Sequence, residues 1–157
     1  MQNRLNFTIG IIFFLGGCSV YWFGRQNSLF FILPKELSFN LPGLIKFSSP
    51  VFFHTFSMIL ISSPFIKKKI SSLFFLSFSW IAIQIFFEIG QKYPDFFNKV
   101  FSAGIFLPLN NYFKKGTYDP MDIGMAVAGG LSGLIFLILS RSIVFYFTKV
   151  RTYVRKK

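Results

Sequence analysis

Four apolar blocks, each bounded on at least one side by basic residues, constrain this chain more than any motif it carries. A bilayer core takes roughly 20 apolar residues per helix. Residues 5–24 lie between Arg4 and Arg25 and meet that length. Residues 50–66 run slightly short and end at Lys67, Lys68 and Lys69. Residues 70–90 follow after almost no loop, so the second and third blocks form a helical hairpin. Residues 121–140 make the fourth block, which stops at Arg141 and leaves a basic tail over 141–157. The expected fold is an all-α membrane protein: four transmembrane helices in a single domain over residues 1–157.

Composition supports this reading. Of 157 residues, 53% are hydrophobic and 14% charged, and 25 are phenylalanine. A soluble domain of this size has no core large enough to hide so much apolar surface, so most of it faces lipid. A net charge of +12 would otherwise suggest nucleic acid. The basic residues, however, sit at the edges of apolar blocks, where they anchor a helix beside anionic lipid. Nucleic acid is therefore not an expected partner, whereas membrane lipid is.

Orientation follows from the positive-inside rule. With four spans, Arg4, the lysine triplet and every basic residue from Arg141 to Lys157 share one side, which holds no acid. All five acidic residues fall on the other. Both termini are expected to be cytoplasmic. Two outer loops remain, over residues 25–49 and 91–120. In the second, Phe96, Phe97, Val100, Phe101 and Ile105 recur at helical spacing, with Asn98, Lys99 and Ser102 between them. That pattern predicts a short helix lying in the outer interface.

The single cysteine, Cys18, excludes an internal disulfide and a cysteine-based metal cluster. Leu15-Gly16-Gly17-Cys18 resembles the end of a lipoprotein signal, and cleavage there would leave three spans. The apolar run nevertheless continues through Val20, Tyr21, Trp22 and Phe23, where a mature lipoprotein turns polar, which favours an intact first span.

Topology then gathers the chemistry. His54 lies near the outer start of the second helix, and Glu88 and Gln91 near the outer end of the third. Asp119 and Asp122 open the fourth, so all are expected at about the same depth. Gln84, Glu88 and Gln91 are spaced i, i+4, i+7 and form a polar stripe. Asp122, Ala126, Gly129 and Gly133 follow similar spacing, and small residues so placed let helix backbones approach closely. Asp122 is thereby expected on the inward face, where ionisable groups in membrane helices usually point. The result is a polar pocket open to the outer leaflet. Each residue also has a plainer role. Asp119-Pro120-Met121-Asp122 is a good helix start, with Asp119 as N-cap and Asp122 as a capping-box acid. His54 would merely hydrogen-bond inside the bundle, and the glycines would only pack. Glu88 is hardest to explain so, because it ends an otherwise apolar helix.

Glu88-x-x-Gln91, a variable loop, Gly116-Thr117-Tyr118-Asp119-x-x-Asp122 and a glycine-rich helix, preceded by Phe53-His54-Thr55-Phe56, resemble the VanZ-like family. These are small bacterial membrane proteins associated with glycopeptide resistance. The similarity covers residues 54–133, roughly half the chain. The resemblance implies a cell-envelope role and selects His54, Glu88, Gln91, Asp119 and Asp122. Two positions depart from the family pattern: Thr117 stands where an arginine is common, and Ala126 where an asparagine is usual. The first weakens any clamp for an anion; the second removes a polar group one turn below Asp122.

Two functions follow as expectations. In one, the pocket binds or modifies an envelope lipid or lipid-linked glycan, with His54, Glu88 and Asp122 catalytic and Gln91, Tyr118 and Asp119 holding substrate. Carboxylates with one imidazole suit a divalent cation or unaided proton transfer, and the sequence does not fix which. In the other, the chain is a non-enzymatic accessory or structural subunit of a membrane assembly, bound to a protein partner. No activated Ser or Cys pattern, phosphate-binding glycine loop or His-x-x-x-His spacing occurs.

Overall fold

A computed structural model describes residues 2–24, 49–67, 69–101 and 104–154, with side chains at 3–20 and, from residue 49, up to 143. The loop expected over residues 25–49 lies outside the described residues except for Ser49, as does Ser102 of the second loop. The described chain is all helical and contains no strand.

Helix α1 spans Gln2–Gly24 and α2 spans Ser49–Ser62, continued by a 3-10 turn at Ser63–Phe65. Pro64 lies in the first turn of that 3-10 segment, and Ile66 leaves it in extended conformation. Helix α3 spans Ile70–Lys92. It stops because a residue before proline is pushed out of the helical region, and Tyr93, which precedes Pro94, has φ −127 and ψ 57. Pro94 then opens α4, Pro94–Val100. A 3-10 turn at Gly104–Phe106 leads into α5, Leu107–Lys115. Finally α6 runs over Pro120–Val154.

Three helices are long and apolar enough to cross a bilayer, over Asn3–Val20, Ile70–Lys92 and Pro120–Ile143, which fits a membrane protein. Helix α2 is shorter. At 1.5 Å per residue its α-helical part reaches only about 21 Å, and the 3-10 turn adds about 6 Å. The second expected block, residues 50–66, is thus helical as far as Phe65 but in two pieces, an α-helix and a 3-10 turn.

Two other boundaries differ from the expectation. Helix α6 does not stop at Arg141 but continues to Val154, 35 residues in all. No Gly or Pro interrupts residues 134–154, and lysine and arginine are good helix formers. Its length is about 52 Å, well beyond a hydrocarbon core of about 30 Å. The second loop holds two helices where one was expected. Helix α5 escaped notice because Asn110, Asn111, Lys114 and Lys115 leave it little apolar character.

The shortest of the four bundle helices occupies the middle. Helix α2 packs between α1 and α6, while α3 packs chiefly on α6. Gly10 lies against Leu60 and Ile61, and Gly17 against Phe53 and Pro50, so α1 and α2 are antiparallel. Gly129 meets Phe52 and Gly133 meets Ile59, so α2 and α6 run the same way. Ser77 and Ile81 both meet Gly130, while Glu88 lies eleven residues on from Ser77 against Asp119, eleven before Gly130, so α3 opposes α6. No described glycine has positive φ, so their contribution is close approach. The core of Phe56, Ile59, Leu60, Leu73, Leu76, Leu134 and Leu137 fills the end nearer the α2–α3 hairpin. Outward residues such as Phe75, Phe78, Leu131, Ile135 and Leu139 stay largely exposed, as lipid-facing side chains would.

Candidate functional site

Glu88 is a buried ionisable group at the other end. It lies on the last turns of an apolar helix and is only 7% exposed. Its Oε2 accepts a hydrogen bond from the backbone N–H of Asp119 at 3.3 Å. Asp119 ends the extended segment between α5 and α6, and its Oδ1 accepts from the Met121 N–H at 2.9 Å. That bond is a helix N-cap, with Pro120 in the first turn, where its missing N–H costs nothing. Asp122, one turn into α6, is 8% exposed. Both aspartates lie within electrostatic reach of Glu88. The structure therefore brings together Glu88, Asp119 and Asp122.

Gln91 joins this end through the neighbouring cap. Its Nε2 donates to the Tyr112 hydroxyl at 3.0 Å, and its side chain packs so tightly on Gly116 that a Cβ there would lie 2.5 Å from Cδ. Gly90, one residue earlier, lies under Phe113, and a Cβ at that glycine would run into the ring. Phe113 is 1% exposed and its ring meets those of Phe86, Phe87 and Phe97. Helices α4 and α5 are thus pinned as an aromatic cap on the end of α3. Asn110 adds a strap, its Nδ2 donating to the Phe101 carbonyl at 2.9 Å. Tyr118 is half-buried, with the Lys92 ammonium 5.0 Å from its ring centroid; the same ammonium lies 5.4 Å from the ring of Tyr93.

His54 stands apart. Helices α2 and α6 run parallel and cross at Phe52 and Gly129. Asp122 is seven residues before that crossing and His54 two after it, which separates them by about 13 Å along the axis. His54 also lies 200° around α2 from Phe52 at 100° per residue, about opposite the face on α6. Its side chain is exposed, and its ring meets Phe14 of α1 edge-on. Equal depth was inferred from the ends of the apolar blocks, but α2 begins about two turns deeper than α6.

The remaining positions belong to helix packing. Ala126 is fully buried. A Cβ on Gly129 would stand 2.6 Å from the Phe52 carbonyl oxygen, and one on Gly133 would be 3.3 Å from Ile59. Gln84 is half-buried one turn below Glu88. Sequence reasoning missed Gly90, Lys92, Tyr112 and Phe113. Gly90 left a trace, a glycine two residues after the sole acid of an apolar helix, but its partner arrives from a segment that reads as polar.

Among the described residues, no group of three or more His, Cys, Asp or Glu side chains is arranged to hold a metal ion. The arrangement can accept hydrogen bonds from a hydroxyl or ammonium group and exchange a proton with it. Compared with protein-family models, with curated proteins and with solved structures, the chain matches none.

Proposed function

We propose that this chain is a VanZ-like, multi-pass protein of the bacterial inner membrane whose acidic end, at the outer face, binds the polar part of an envelope lipid or lipid-linked glycan. In this reading α2 with its 3-10 turn is the fourth span, reaching about 27 Å of a core of about 30 Å. The basic hairpin and both termini are cytoplasmic, by the positive-inside rule. The observation that carries the site is Glu88: a carboxylate buried at the end of an apolar helix beside two aspartates. An ionisable group costs several kcal/mol deep in a membrane, and such residues usually mark a site. Glu88 and Asp122 exchange the proton or accept the hydrogen bond from substrate, and Gln91 and Asp119 shape the rim.

A second reading has its own support. Asp119 caps α6 and Glu88 holds the Asp119 N–H, so both carboxylates already have local structural work. The chain would then be an accessory subunit of a membrane assembly. Glu88→Gln and Asp122→Asn separate the two, scored by protein abundance and by growth under envelope stress. Lost phenotype at normal abundance supports the site. Lost abundance supports structure, and no change in either quantity sinks the site.

A further inference from the structure

We infer that the α4–α5 cap is a membrane-docking element that dips an apolar ridge into the outer leaflet and gathers anionic phospholipid through Lys99, Lys114 and Lys115. The inference rests on the preceding reading only for which leaflet it touches. The cap's inner side is spent on Phe97 and Phe113, which are buried against α3. Its outer side is apolar where α4 turns into α5: Val100 is 57% exposed, Ile105 82% and Leu107 59%, with Phe96 beside them at 63%. Exposure of this kind, on a segment that already has a folded aromatic core, leaves more than half of each side chain uncovered by protein. The ridge adjoins the end of a helix that is itself apolar enough to cross a bilayer, so hydrocarbon is the neighbouring phase.

Charge selects the lipid. Lys99 ends α4, and Lys114 and Lys115 end α5; all three are exposed. They complement the carbonyl ends of their helices, which needs no lipid, but that role fixes only one end of each side chain's field. The single acid of the cap, Asp95, opens α4. An apolar ridge flanked by lysines is the pattern of interfacial helices on anionic membranes. A protein partner would meet the same apolar ridge, but the excess of lysine over acid and the adjoining spans favour lipid.

The test uses the full chain in nanodiscs of equal phosphatidylcholine and phosphatidylglycerol. Cys18→Ser removes the single thiol, and Ile105→Cys carries a bimane fluorophore. Quenching by acyl-chain nitroxides is expected, with a preference for the phosphatidylglycerol-borne label. The triple variant Lys99→Glu, Lys114→Glu, Lys115→Glu should abolish that preference, about fivefold for each lysine engaged. Quenching by aqueous iodide instead of lipid nitroxide overturns the docking and points to a protein partner. Equal quenching by both lipids overturns the anionic selectivity. Orientation is read separately, from Asn111→Cys in the Cys18→Ser background and an impermeant maleimide on intact cells. Labelling only after permeabilisation defeats the outer-face reading and leaves the nanodisc result intact, because nanodiscs open on both sides.

Discussion

The two ends of the bundle are built on different principles. Toward the α2–α3 hairpin, shape does the holding: Leu60, Leu73 and Leu137 are essentially inaccessible, and glycines let α6 press on the Phe52 backbone and the Ile59 side chain of α2. Hydroxyls in this half mostly return to their own helix, as Ser63 Oγ does to the Leu60 carbonyl. At the acidic end, buried groups are carboxylates and aromatic rings, held by directed contacts such as Asp119 N–H to Glu88. In hydrocarbon no hydrophobic drive separates the two strategies, since lipid tails are as apolar as leucine. Packing at the first end therefore rests on close fit, and the second is organised around polar groups that must find partners.

The sharpest way to break this comparison is to spoil fit at the crossing. Gly129→Leu places a side chain against the Phe52 carbonyl, which is backbone and cannot swing aside. Destabilisation of about 3 kcal/mol is expected, near the upper end for overpacking. It should be read as a shifted midpoint in mixed-micelle unfolding, with α2 and α6 losing amide protection together. Wild-type stability here would mean the glycine contact does not hold the bundle.

A smaller and more local loss is expected from Gly90→Ala. Its Cβ meets the Phe113 ring, a side chain that can move but has little room at 1% exposure. A cost of about 2 kcal/mol should fall on the cap alone. Amide exchange in α5 should quicken while exchange around Leu60 and Leu137 stays unchanged. Equal acceleration at both ends would show that cap and bundle form one cooperative unit and erase the distinction drawn here.

The halves also differed in how far they could be read in advance. Apolar length located all three candidate spans, and the positions of Asp122, Gly129 and Gly133 on one helix face followed from spacing. Those are properties of a single helix. Pairwise depth was not legible, because it depends on how far each helix slides along its neighbour: His54 was expected beside the acids and lies about 13 Å from Asp122 along the axis. The cap was half legible. Phe96, Phe97 and Val100 announced α4 by periodicity, whereas α5 is polar on most positions and folds around one ring, Phe113. Helix α6 overran its expected end because hydropathy marks where a helix leaves lipid, which is not where its backbone stops.

Capping gives a test of intermediate size at the acidic end. Asp119→Ala removes the acceptor for Met121 N–H and should cost about 1 kcal/mol. Asp119→Asn keeps a good cap and should recover most of that stability. If phenotype follows stability across the pair, Asp119 acts as a cap. Loss of phenotype with Asn at wild-type stability assigns it to the site, because then the charge matters and the hydrogen bond does not.

The smallest effect is expected at a hydroxyl that bonds across helices in the well-packed half, where the Trp80 Nε1–H also donates to Ser62 Oγ at 3.2 Å. Ser77 Oγ donates to the Gly130 carbonyl at 2.8 Å and so ties α3 to α6. Ser77→Ala should cost only about 0.6 kcal/mol, the average for interhelical hydrogen bonds in a membrane protein. Two features keep it small. Alanine removes the donor along with its need for a partner, and the Gly130 carbonyl lies within α6, where helical hydrogen bonding already occupies it. A loss above 2 kcal/mol, measured by the same mixed-micelle midpoint, would show that this half also depends on a directed polar bond. The contrast between fit and polarity would then survive only at Gly129, where the neighbour is backbone.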